Sequence, residues 1–318
     1  MKRKMIILAT VLLLLGGVLT VSALAMSGWD LSKLGSGKYE TSIHSITEPF
    51  SDISVNTETA DIIIAPSGDG SCRAVCYVDE KMKHTVSVKD GVLNIKCVDE
   101  RSWFDRIGFN FTHPKITLYL PEAEYGELKI SDKTGDINIP GGFVFQSISA
   151  NLTTGDATCR ASASGPLKIS STTGDITVSD ASASELSLAT TTGDIELKDS
   201  SCSGKVLVNV TTGDAEIEGL SCASFSSDGS TGRVEMENLV ATGNISVERS
   251  TGDIIFKRCD GAELTFKTST GDIRGTVLSG KSFSATASTG SVSVPESSQG
   301  GRCTASTSTG DINIKIAN

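Results

Sequence analysis

Apolar and polar residues alternate in short runs along most of the chain, and these runs recur at a regular interval. In one sample, Leu167 and Ile169 alternate with polar residues before a Thr-Gly-Asp phrase, and Ile176 and Val178 alternate after it. Alternation with a period of two predicts β-strands that bury one face. Each copy of the phrase therefore predicts a corner between two short strands.

The phrase occurs ten times, at intervals of 19 or 20 residues, and Thr precedes the glycine in every copy. Asp follows eight of the glycines, whereas Arg233 and Ser291 take its place in the other two. Glycine suits a corner because it adopts a positive φ at no steric cost. Self-similarity at a fixed period is typical of stacked repeats. The glycines are Gly135, Gly155, Gly174, Gly193, Gly213, Gly232, Gly252, Gly271, Gly290 and Gly310.

Two apolar positions recur in each repeat, one seven residues before the glycine and one two residues after it. The first set is Leu128, Ile148, Leu167, Leu186, Val206, Phe225, Ile245, Leu264, Phe283 and Cys303, and the second is Ile137, Ala157, Ile176, Ile195, Ala215, Val234, Ile254, Ile273, Val292 and Ile312. A helical period is absent, and a four-stranded propeller blade needs about 40 residues. The pattern predicts an all-β fold, a parallel β-solenoid (β-helix) of about ten coils whose equivalent residues stack about 4.8 Å apart.

The amino-terminal segment has the composition of an export signal. Residues 2–4 are basic, and residues 5–26 form an apolar run. Such a run is long for a cleaved signal peptide, and about 20 apolar residues suffice to span a bilayer. The length of the run therefore favours a retained transmembrane anchor. The alternative is a signal peptide that is removed, because the small residues at 23–25 would suit a cleavage site. In both cases we expect the remaining chain outside the cytoplasm, either at the cell membrane or secreted.

Four segments follow from these patterns. Residues 1–26 are the signal or transmembrane segment, 27–49 a juxtamembrane linker, 50–125 a β region that starts and caps the solenoid, and 126–318 the repeats. Within the β region, Thr59-Ala60-Asp61-Ile62 is a degenerate copy of the corner phrase, and Lys89-Asp90-Gly91 is a hairpin signal.

Charge and cysteine content narrow the function. The chain carries 28 Lys and Arg against 38 Asp and Glu, for a net charge of −10, which argues against a nucleic-acid partner. The eight cysteines lack the spacing of a metal site. Cys159 and Cys303 occupy apolar positions. Cys202 and Cys222 lie one coil apart, and the sequence does not decide whether a disulfide joins them.

The aspartates of the corner phrase are the first candidate for chemistry. They should stack on one edge, where like charges repel by roughly 1 kcal/mol per pair even in water. Bound Ca²⁺ would compensate this repulsion. We favour a second interpretation, in which each carboxylate accepts backbone N–H groups at its own corner. The row comprises Asp136, Asp156, Asp175, Asp194, Asp214, Asp253, Asp272 and Asp311.

One aromatic cluster stands apart from the repeats. It contains Trp103, Phe104, Phe109 and Phe111. The favoured interpretation is a cap over the open end of the core, and the alternative is a contact site for a partner or a membrane.

Catalysis finds little support in the sequence. The carboxylates are periodic, so no pair is distinguished as acid and base. His44, His84 and His113 lie outside the repeats and near no nucleophile motif. A glycine-rich phosphate loop is also absent. We therefore expect neither an enzyme nor a cofactor, with a polysaccharide-active β-helix enzyme as the alternative.

The order of these motifs resembles a known family. Phe50-x-Asp52-Ile53-x-Val55, Asp90-Gly91-x-Leu93-x-Ile95 and Ile116-x-Leu118-x-Leu120-Pro121 precede the Thr-Gly-Asp-Ile repeats. This order is similar to the bacterial β-strand-repeat "putative adhesin" family of unknown function, over about residues 40–318. The resemblance implies a β-helical domain of the cell envelope, often behind an amino-terminal membrane segment, and it supplies no catalytic residues.

The combined expectation is an exported, membrane-tethered, non-catalytic binding or scaffold module of the cell envelope. Its partner would be an envelope protein or a glycan, and a regulatory partner of membrane proteins in envelope stress is the alternative. The tenth repeat, which ends at Ile312–Ile316, is expected to present an open strand edge. That edge would allow end-to-end self-association.

Overall fold

A computed structural model describes residues 2–26, 39–100, 114–297 and 299–317. Its first element is helix α1 (Lys2–Met26). Of the described residues, no helix combines the length and the apolar character needed to cross a membrane.

Thirty strands follow in the described part of the chain. Those that precede the repeats are β1 (Tyr39–Ile46), β2 (Asp52–Asn56), β3 (Asp61–Pro66), β4 (Cys72–Asp79), β5 (Met82–Lys89), β6 (Val92–Asp99) and β7 (Lys115–Leu120). Those of the repeats are β8 (Glu124–Thr134), β9 (Ile137–Ile139), β10 (Val144–Thr154), β11 (Ala157–Cys159), β12 (Ser162–Ala163), β13 (Pro166–Thr173), β14 (Ile176–Ser179), β15 (Ser182–Ala183), β16 (Glu185–Thr192), β17 (Ile195–Lys198), β18 (Ser201–Thr212), β19 (Ala215–Glu218), β20 (Ser221–Thr231), β21 (Val234–Glu237), β22 (Val240–Ala241), β23 (Asn244–Thr251), β24 (Ile254–Cys259), β25 (Glu263–Thr270), β26 (Ile273–Val277), β27 (Ser282–Thr289), β28 (Val292–Ser293), β29 (Arg302–Thr309) and β30 (Ile312–Ile316).

The strands form two long sheets that face each other across the core. The strand order in sheet A is β1-β4-β7-β3-β9-β11-β14-β17-β19-β21-β24-β26-β30-β28, and in sheet B it is β27-β29-β25-β23-β20-β18-β16-β13-β10-β8-β2-β6-β5. Every coil of the repeats runs along a strand of sheet B, turns at its corner glycine and continues along a strand of sheet A. Neighbouring coils pair in parallel with equivalent residues opposite each other, as Ile176 is opposite Ile195. The predicted all-β parallel solenoid is confirmed.

The core consists of the recurring apolar positions. In nine of the ten repeats both predicted positions are buried, including Cys159 and Cys303. The remaining repeat, that of Gly290, differs, because Phe283 is half-buried and Val292 is 44 % exposed. One coil buries little apolar surface alone, so stability comes from stacking on both neighbours. The coil of Phe283 and Val292 is consequently the one that lacks a second neighbour.

Stacking also explains why glycine occupies every corner. Gly193 has φ +136°, and a Cβ there would lie 2.2 Å from the carbonyl oxygen of Gly174. Gly174 stands in the same relation to Gly155, with a separation of 2.0 Å. A side chain would thus meet both backbone strain and a direct clash with the coil below.

The amino-terminal end contains a coil that is out of sequence order. β2 and β3 form one coil, and it lies between the coil β8–β9 and the pair β6 and β7. Asp61 and Ile62 occupy the expected corner positions, since Ile62 is opposite Ile137. Antiparallel strands β1, β4 and β5 then close this end of the rod. β1 lies within the segment 27–49 that the sequence predicted to be a linker.

The last two coils are also exchanged in space. β29 lies between β25 and β27, and β30 lies between β26 and β28. Ile312 and Ile314 are buried as a result. The expectation that Ile312–Ile316 presents an open edge is wrong for Ile312 and Asn313, which pair with Val292 and Ser293 of β28.

Candidate functional site

The corner aspartates form a hydrogen-bonded row along the rod, in two runs separated at Arg233. Asp136 Oδ1 accepts the backbone N–H of Asp156 at 2.9 Å, and Asp156 Oδ1 accepts that of Asp175 at 2.8 Å. The same bond joins Asp175 to Asp194, Asp194 to Asp214, Asp214 to Arg233, Asp253 to Asp272 and Asp272 to Asp311. The favoured interpretation needs correction in one respect, since each carboxylate bonds the neighbouring coil rather than its own corner.

The two departures from Asp interrupt or end this row. Arg233 offers no carboxylate to the next coil, so the row stops there and begins again at Asp253. Ser291 lies in the outermost coil, and its N–H and hydroxyl both bond Asp311 Oδ1, at 2.7 and 2.9 Å. No described coil lies beyond Ser291, so an acceptor at this position would have no donor.

Calcium binding by the row is the alternative interpretation of the sequence, and it stays untested. In the described part of the chain, no group of three or more His, Cys, Asp or Glu side chains is placed to hold a metal ion. One oxygen of each bonded carboxylate is already used by a backbone N–H group. The repulsion between the stacked aspartates is thus offset by charge-assisted hydrogen bonds.

A charged face lies beside this row, on the outer side of sheet A. We define it by Glu196, Glu216 and Glu235, each three residues after a corner glycine. Their strands pair so that Glu196 is opposite Glu216 and Glu216 is opposite Glu235. Three glutamates thus stand one above another at the spacing of neighbouring strands, about 4.8 Å.

Basic side chains bridge the glutamates. Lys198 contacts both Glu196 and Glu216, the latter at 3.4 Å. The hydrogen bond from Lys198 to Glu196 raises the pKa of the lysine. Lys257 lies 3.2 Å from Glu235, and the hydrogen bond between them likewise raises the pKa of Lys257. Ion pairs at a solvated surface contribute little to stability, so these charges define the surface rather than hold the fold.

A shallow depression of about 320 Å³ runs between the charged face and the aspartate row. Carboxylates dominate its lining, with Arg233 as the basic residue that also lines it. The acidic lining residues are Asp175, Asp194, Asp214, Glu196, Glu216 and Glu235. An acidic concave surface attracts cationic groups through its electrostatic potential.

Towards the carboxyl-terminal end, the charged residues on the same side of the rod are basic rather than acidic. A second depression of about 330 Å³ is lined by Lys257, Arg274 and Lys315. Gly275 also lines it, and a Cβ at this residue would lie 2.0 Å from the carbonyl oxygen of Phe256. Arg274 is paired with Asp253 at 3.1 Å and Asp272 at 3.5 Å, so much of this positive charge is already balanced.

The remaining predicted residues do not join this site. Trp103, Phe104, Phe109 and Phe111 lie outside the described residues. His84 is buried at the amino-terminal end, where its Nε2 and Thr57 Oγ1 are 3.0 Å apart. Cys202 and Cys222 are opposite each other in β18 and β20, and both thiols are free.

Sequence reasoning missed the charged face. The signal was present at the third residue after the corner glycine, where three successive coils carry Glu. It went unnoticed because single outward positions look like ordinary solvated surface. Only the parallel register shows that these three glutamates are neighbours.

The architecture defines a class, a parallel β-solenoid with a charged outer face and a bonded corner row. The chain belongs to the Toastrack DUF4097 family, whose model matches residues 50–315. The family resemblance noted from the sequence is therefore confirmed.

Three solved structures are similar to this chain over most of its length. A "putative adhesin" from Bacteroides fragilis is 18 % identical, with 88 % of this chain and 99 % of that chain covered and a TM-score of 0.44. A "putative lipid binding protein" from Parabacteroides distasonis is 19 % identical, with 76 % and 98 % covered and a TM-score of 0.48. A "putative adhesin" from the same species is 15 % identical, with 74 % and 98 % covered and a TM-score of 0.46. Among curated proteins, no relative of the sequence is found.

Proposed function

We propose that this protein is an exported, non-catalytic binding module of the cell envelope whose charged face engages cationic groups of an envelope protein. The observation that carries the proposal is the depression in which six carboxylates face one lining arginine. The described histidines lie away from this surface, and its carboxylates repeat without an acid and base pair. Reversible ion pairing is the chemistry that such a surface supports best.

Export is the second part of the proposal, and it rests on the sequence. The basic residues 2–4 and the apolar run 5–26 have the order of a signal or signal-anchor. Protease added to intact cells should then digest the solenoid, and sequencing of the mature amino terminus would distinguish an anchor from a cleaved signal. A solenoid protected in intact cells and digested only after lysis would contradict export.

The binding experiment uses the full chain and a defined cationic probe, a synthetic oligolysine peptide. The triple variant Glu196→Gln, Glu216→Gln, Glu235→Gln should reduce affinity for the peptide by about tenfold or more, because it removes three stacked charges. Binding by the wild type should also weaken with added salt, which screens exposed charges. Capture of envelope proteins from a membrane fraction should fall in parallel.

The matched control is the triple variant Glu124→Gln, Glu185→Gln, Glu263→Gln. These glutamates are exposed on strands of sheet B, so the net charge changes equally while the charged face stays intact. Unchanged binding in the control and loss in the first variant would support the proposal. Equal loss in both would show that net charge alone attracts the peptide and would overturn the assignment to this face. Retained capture of glycan in the absence of protein would redirect the partner to a polysaccharide.

A further inference from the structure

The coil of β29 and β30 is last in the sequence and next to last in space. On one side it pairs with β25 and β26, and on the other with β27 and β28. It therefore fills a slot between two coils that precede it in the chain. We call the residues Arg302–Ile316 the inserted coil.

Two inner contacts explain why this coil, and not the preceding one, occupies the slot. Thr307 Oγ1 donates to the carbonyl oxygen of Gly271 at 3.1 Å, and Asp272 Oδ1 accepts the N–H of Asp311 at 2.9 Å. Asp311 then accepts the N–H of Ser291. If the preceding coil took the slot, Ala287 would stand where Thr307 stands and could not donate. Ser291 would likewise leave the next N–H group without a carboxylate.

The outer wall of the slot is weak. In the backbone ladders of the described strands, β27 and β28 pair only with the inserted coil. β28 has two residues, and both are exposed. The inward residues Phe283, Ala285 and Ala287 are only half-buried. Strands with few buried apolar contacts open at low free energy, so this wall is the part of the rod that exposes the slot most readily.

The connection that leads into the inserted coil is held by close backbone contacts rather than by apolar burial. A Cβ on Gly301 would lie 1.8 Å from the carbonyl oxygen of Ala262, and one on Gly300 would lie 2.2 Å from that of Gly280. Pro295 lies at its start, just after β28. Strained, tightly turned hinge loops favour exchange of the element that follows them between copies.

We propose that the inserted coil is exchangeable, and that a second copy of this chain can supply Arg302–Ile316 to the slot. A supplied coil would make the same ladder pairs, the same bond to Gly271 and the same place in the aspartate row. The exchange therefore changes only the path of the chain between β28 and β29, which would run to the second copy. Reciprocal exchange joins two rods at their carboxyl-terminal ends into a closed dimer. This inference is independent of the proposed function of the charged face.

The test places one cysteine on each of two full-length chains. Lys267 in β25 and Ser306 in β29 are opposite each other, at a separation that suits a disulfide. One chain carries Lys267→Cys and the other carries Ser306→Cys. After mixing at high concentration, mild denaturation, refolding and oxidation, peptide mapping separates the bond between positions 267 and 306 from any bond made by the eight native cysteines. That bond joins two chains only if the inserted coil of one occupies the slot of the other.

The control pair is Ala189→Cys on one chain and Asn209→Cys on the other, which are opposite each other in the middle of sheet B. We expect several-fold more cross-linked dimer from the first pair than from the control pair, and the excess should grow with protein concentration. An equal yield from both pairs would overturn the proposal. A noncovalent dimer without the Lys267→Cys to Ser306→Cys cross-link would overturn it too, because a different surface would then join the copies.

A single-chain variant keeps the outcome interpretable. Lys267→Cys and Ser306→Cys combined in one chain, and oxidised before mixing, should lock the inserted coil in its own slot. Dimers should then be absent after the same treatment. Failure of this disulfide to form in the monomer would contradict the spatial order of the coils and the proposal with it.

Discussion

The corner glycine is fixed by its neighbours as well as by its own turn. Its φ, +136° at Gly155 and Gly193, already disfavours a side chain more strongly than the left-handed φ of 55° and 53° that Asp180 and Asn238 adopt elsewhere in this rod. The corner position differs because the carbonyl of the coil below approaches to 2.0 Å of a Cβ site in Gly155, Gly174 and Gly213. Stacking thus converts a preference for glycine into a requirement.

Gly193→Ala should destabilise the protein by several kcal/mol, on the order of 2–4, because strain at φ +136° adds to a clash with Gly174. Chemical denaturation of the folded protein measures the loss. Gly68→Ala is the control, since no atom lies within 4 Å of its Cβ site. A loss below about 1 kcal/mol in Gly193→Ala would contradict the close approach.

Two buried titratable residues lie at the amino-terminal end of the core. Asp132 occupies the third position before its corner glycine, where Thr190 and Thr268 instead donate a hydroxyl to the preceding corner carbonyl. Burial raises the pKa of Asp132 from 3.8 to about 6, and the nearby amides of Lys133 and Thr134 offset only part of this effect. Burial lowers the pKa of His84 from 6.5 to about 4.

These shifts give opposite slopes of stability against pH. Because its pKa is raised, Asp132 contributes fully to the free energy of unfolding below pH 3.8, and this contribution is lost as the pH rises through about 6. The lowered pKa of His84 makes its contribution complete above pH 6.5 and lost as the pH falls through about 4. Between about pH 4 and 6 the two effects oppose each other.

Asp132→Thr should therefore unmask the contribution of His84, so that the free energy of unfolding rises from pH 4 to 6 more steeply than in the wild type. At pH 7.5 the variant should also be more stable by about 1–3 kcal/mol, because a buried carboxylate is removed. Denaturation across this pH range tests both statements, with Ser131→Thr as the neighbouring control. Parallel pH curves for wild type and Asp132→Thr would contradict the assigned shift.

At the scale of the element, the aspartate row and the backbone hydrogen bonds between strands both hold neighbouring coils together. Each carboxylate ties one coil to the next beside the strand hydrogen bonds, and the row stops where Arg233 stands. Asp214 and Glu235 both lie near the Arg233 guanidinium, at 3.5 and 3.9 Å. The Arg233 side chain thus contacts both the aspartate row, through Asp214, and the charged face, through Glu235.

Asp194→Ala should cost about 1–3 kcal/mol, because the N–H of Asp214 loses its charged acceptor. Asp194→Asn keeps an acceptor and should cost less. If calcium does not bind the row, millimolar Ca²⁺ or excess chelator will leave the melting temperature of the wild type nearly unchanged. A rise of many degrees with Ca²⁺, abolished in Asp194→Asn, would instead establish an ion in the row.

The exchanged order of the last two coils predicts unequal effects of equal substitutions. Ile312→Asp should cost several kcal/mol, because Ile312 is 1 % exposed and the new charge would lack a partner. Val292→Asp occupies the same place in the repeat but is 44 % exposed, so it should cost less than about 1 kcal/mol. Thermal and chemical denaturation compare the two. The reverse ranking would show that the coils follow sequence order.

At the scale of the whole molecule, the rod has unlike ends and unlike sides. Antiparallel strands close the amino-terminal end, whereas a half-buried coil forms the other. The outer side of sheet A carries the charged face, and the outer side of sheet B carries mainly Ser and Thr at its outward positions. Ligand contacts and changes in assembly are thus expected at different places on one rigid scaffold.

Hydrogen exchange of the backbone amides should show that protection differs between the carboxyl-terminal end and the middle of the rod. Amides of β27 and β28 should exchange fastest among the repeat strands, because they are covered on one side only. Amides of β13, β14, β16 and β17 should exchange slowest, since coils stack on both sides of them. Uniform protection along the rod would argue that it opens as one cooperative unit.

The sequence by itself determined the coil. Period-two alternation, the 19- or 20-residue interval and the corner glycine are local features, and each fixes a strand, a turn or a buried position wherever it occurs. They predicted the parallel solenoid, the stacking of equivalent residues and the core positions, including Cys159 and Cys303. The hairpin at Asp90 and Gly91 also followed, since both adopt the positive φ that its turn needs.

Only the tertiary structure decided which coil lies beside which. All coils share one phrase, so each slot accepts several of them and the pattern alone assigns no order. Small differences between similar coils bear on the order: Thr307 and Asp311 bond the coil of Gly271 and Asp272, whereas Ala287 and Ser291 lack those groups and belong to the outermost coil. The charged face has the same origin, because Glu196, Glu216 and Glu235 become neighbours only through long-range pairing of strands that lie 19 or 20 residues apart.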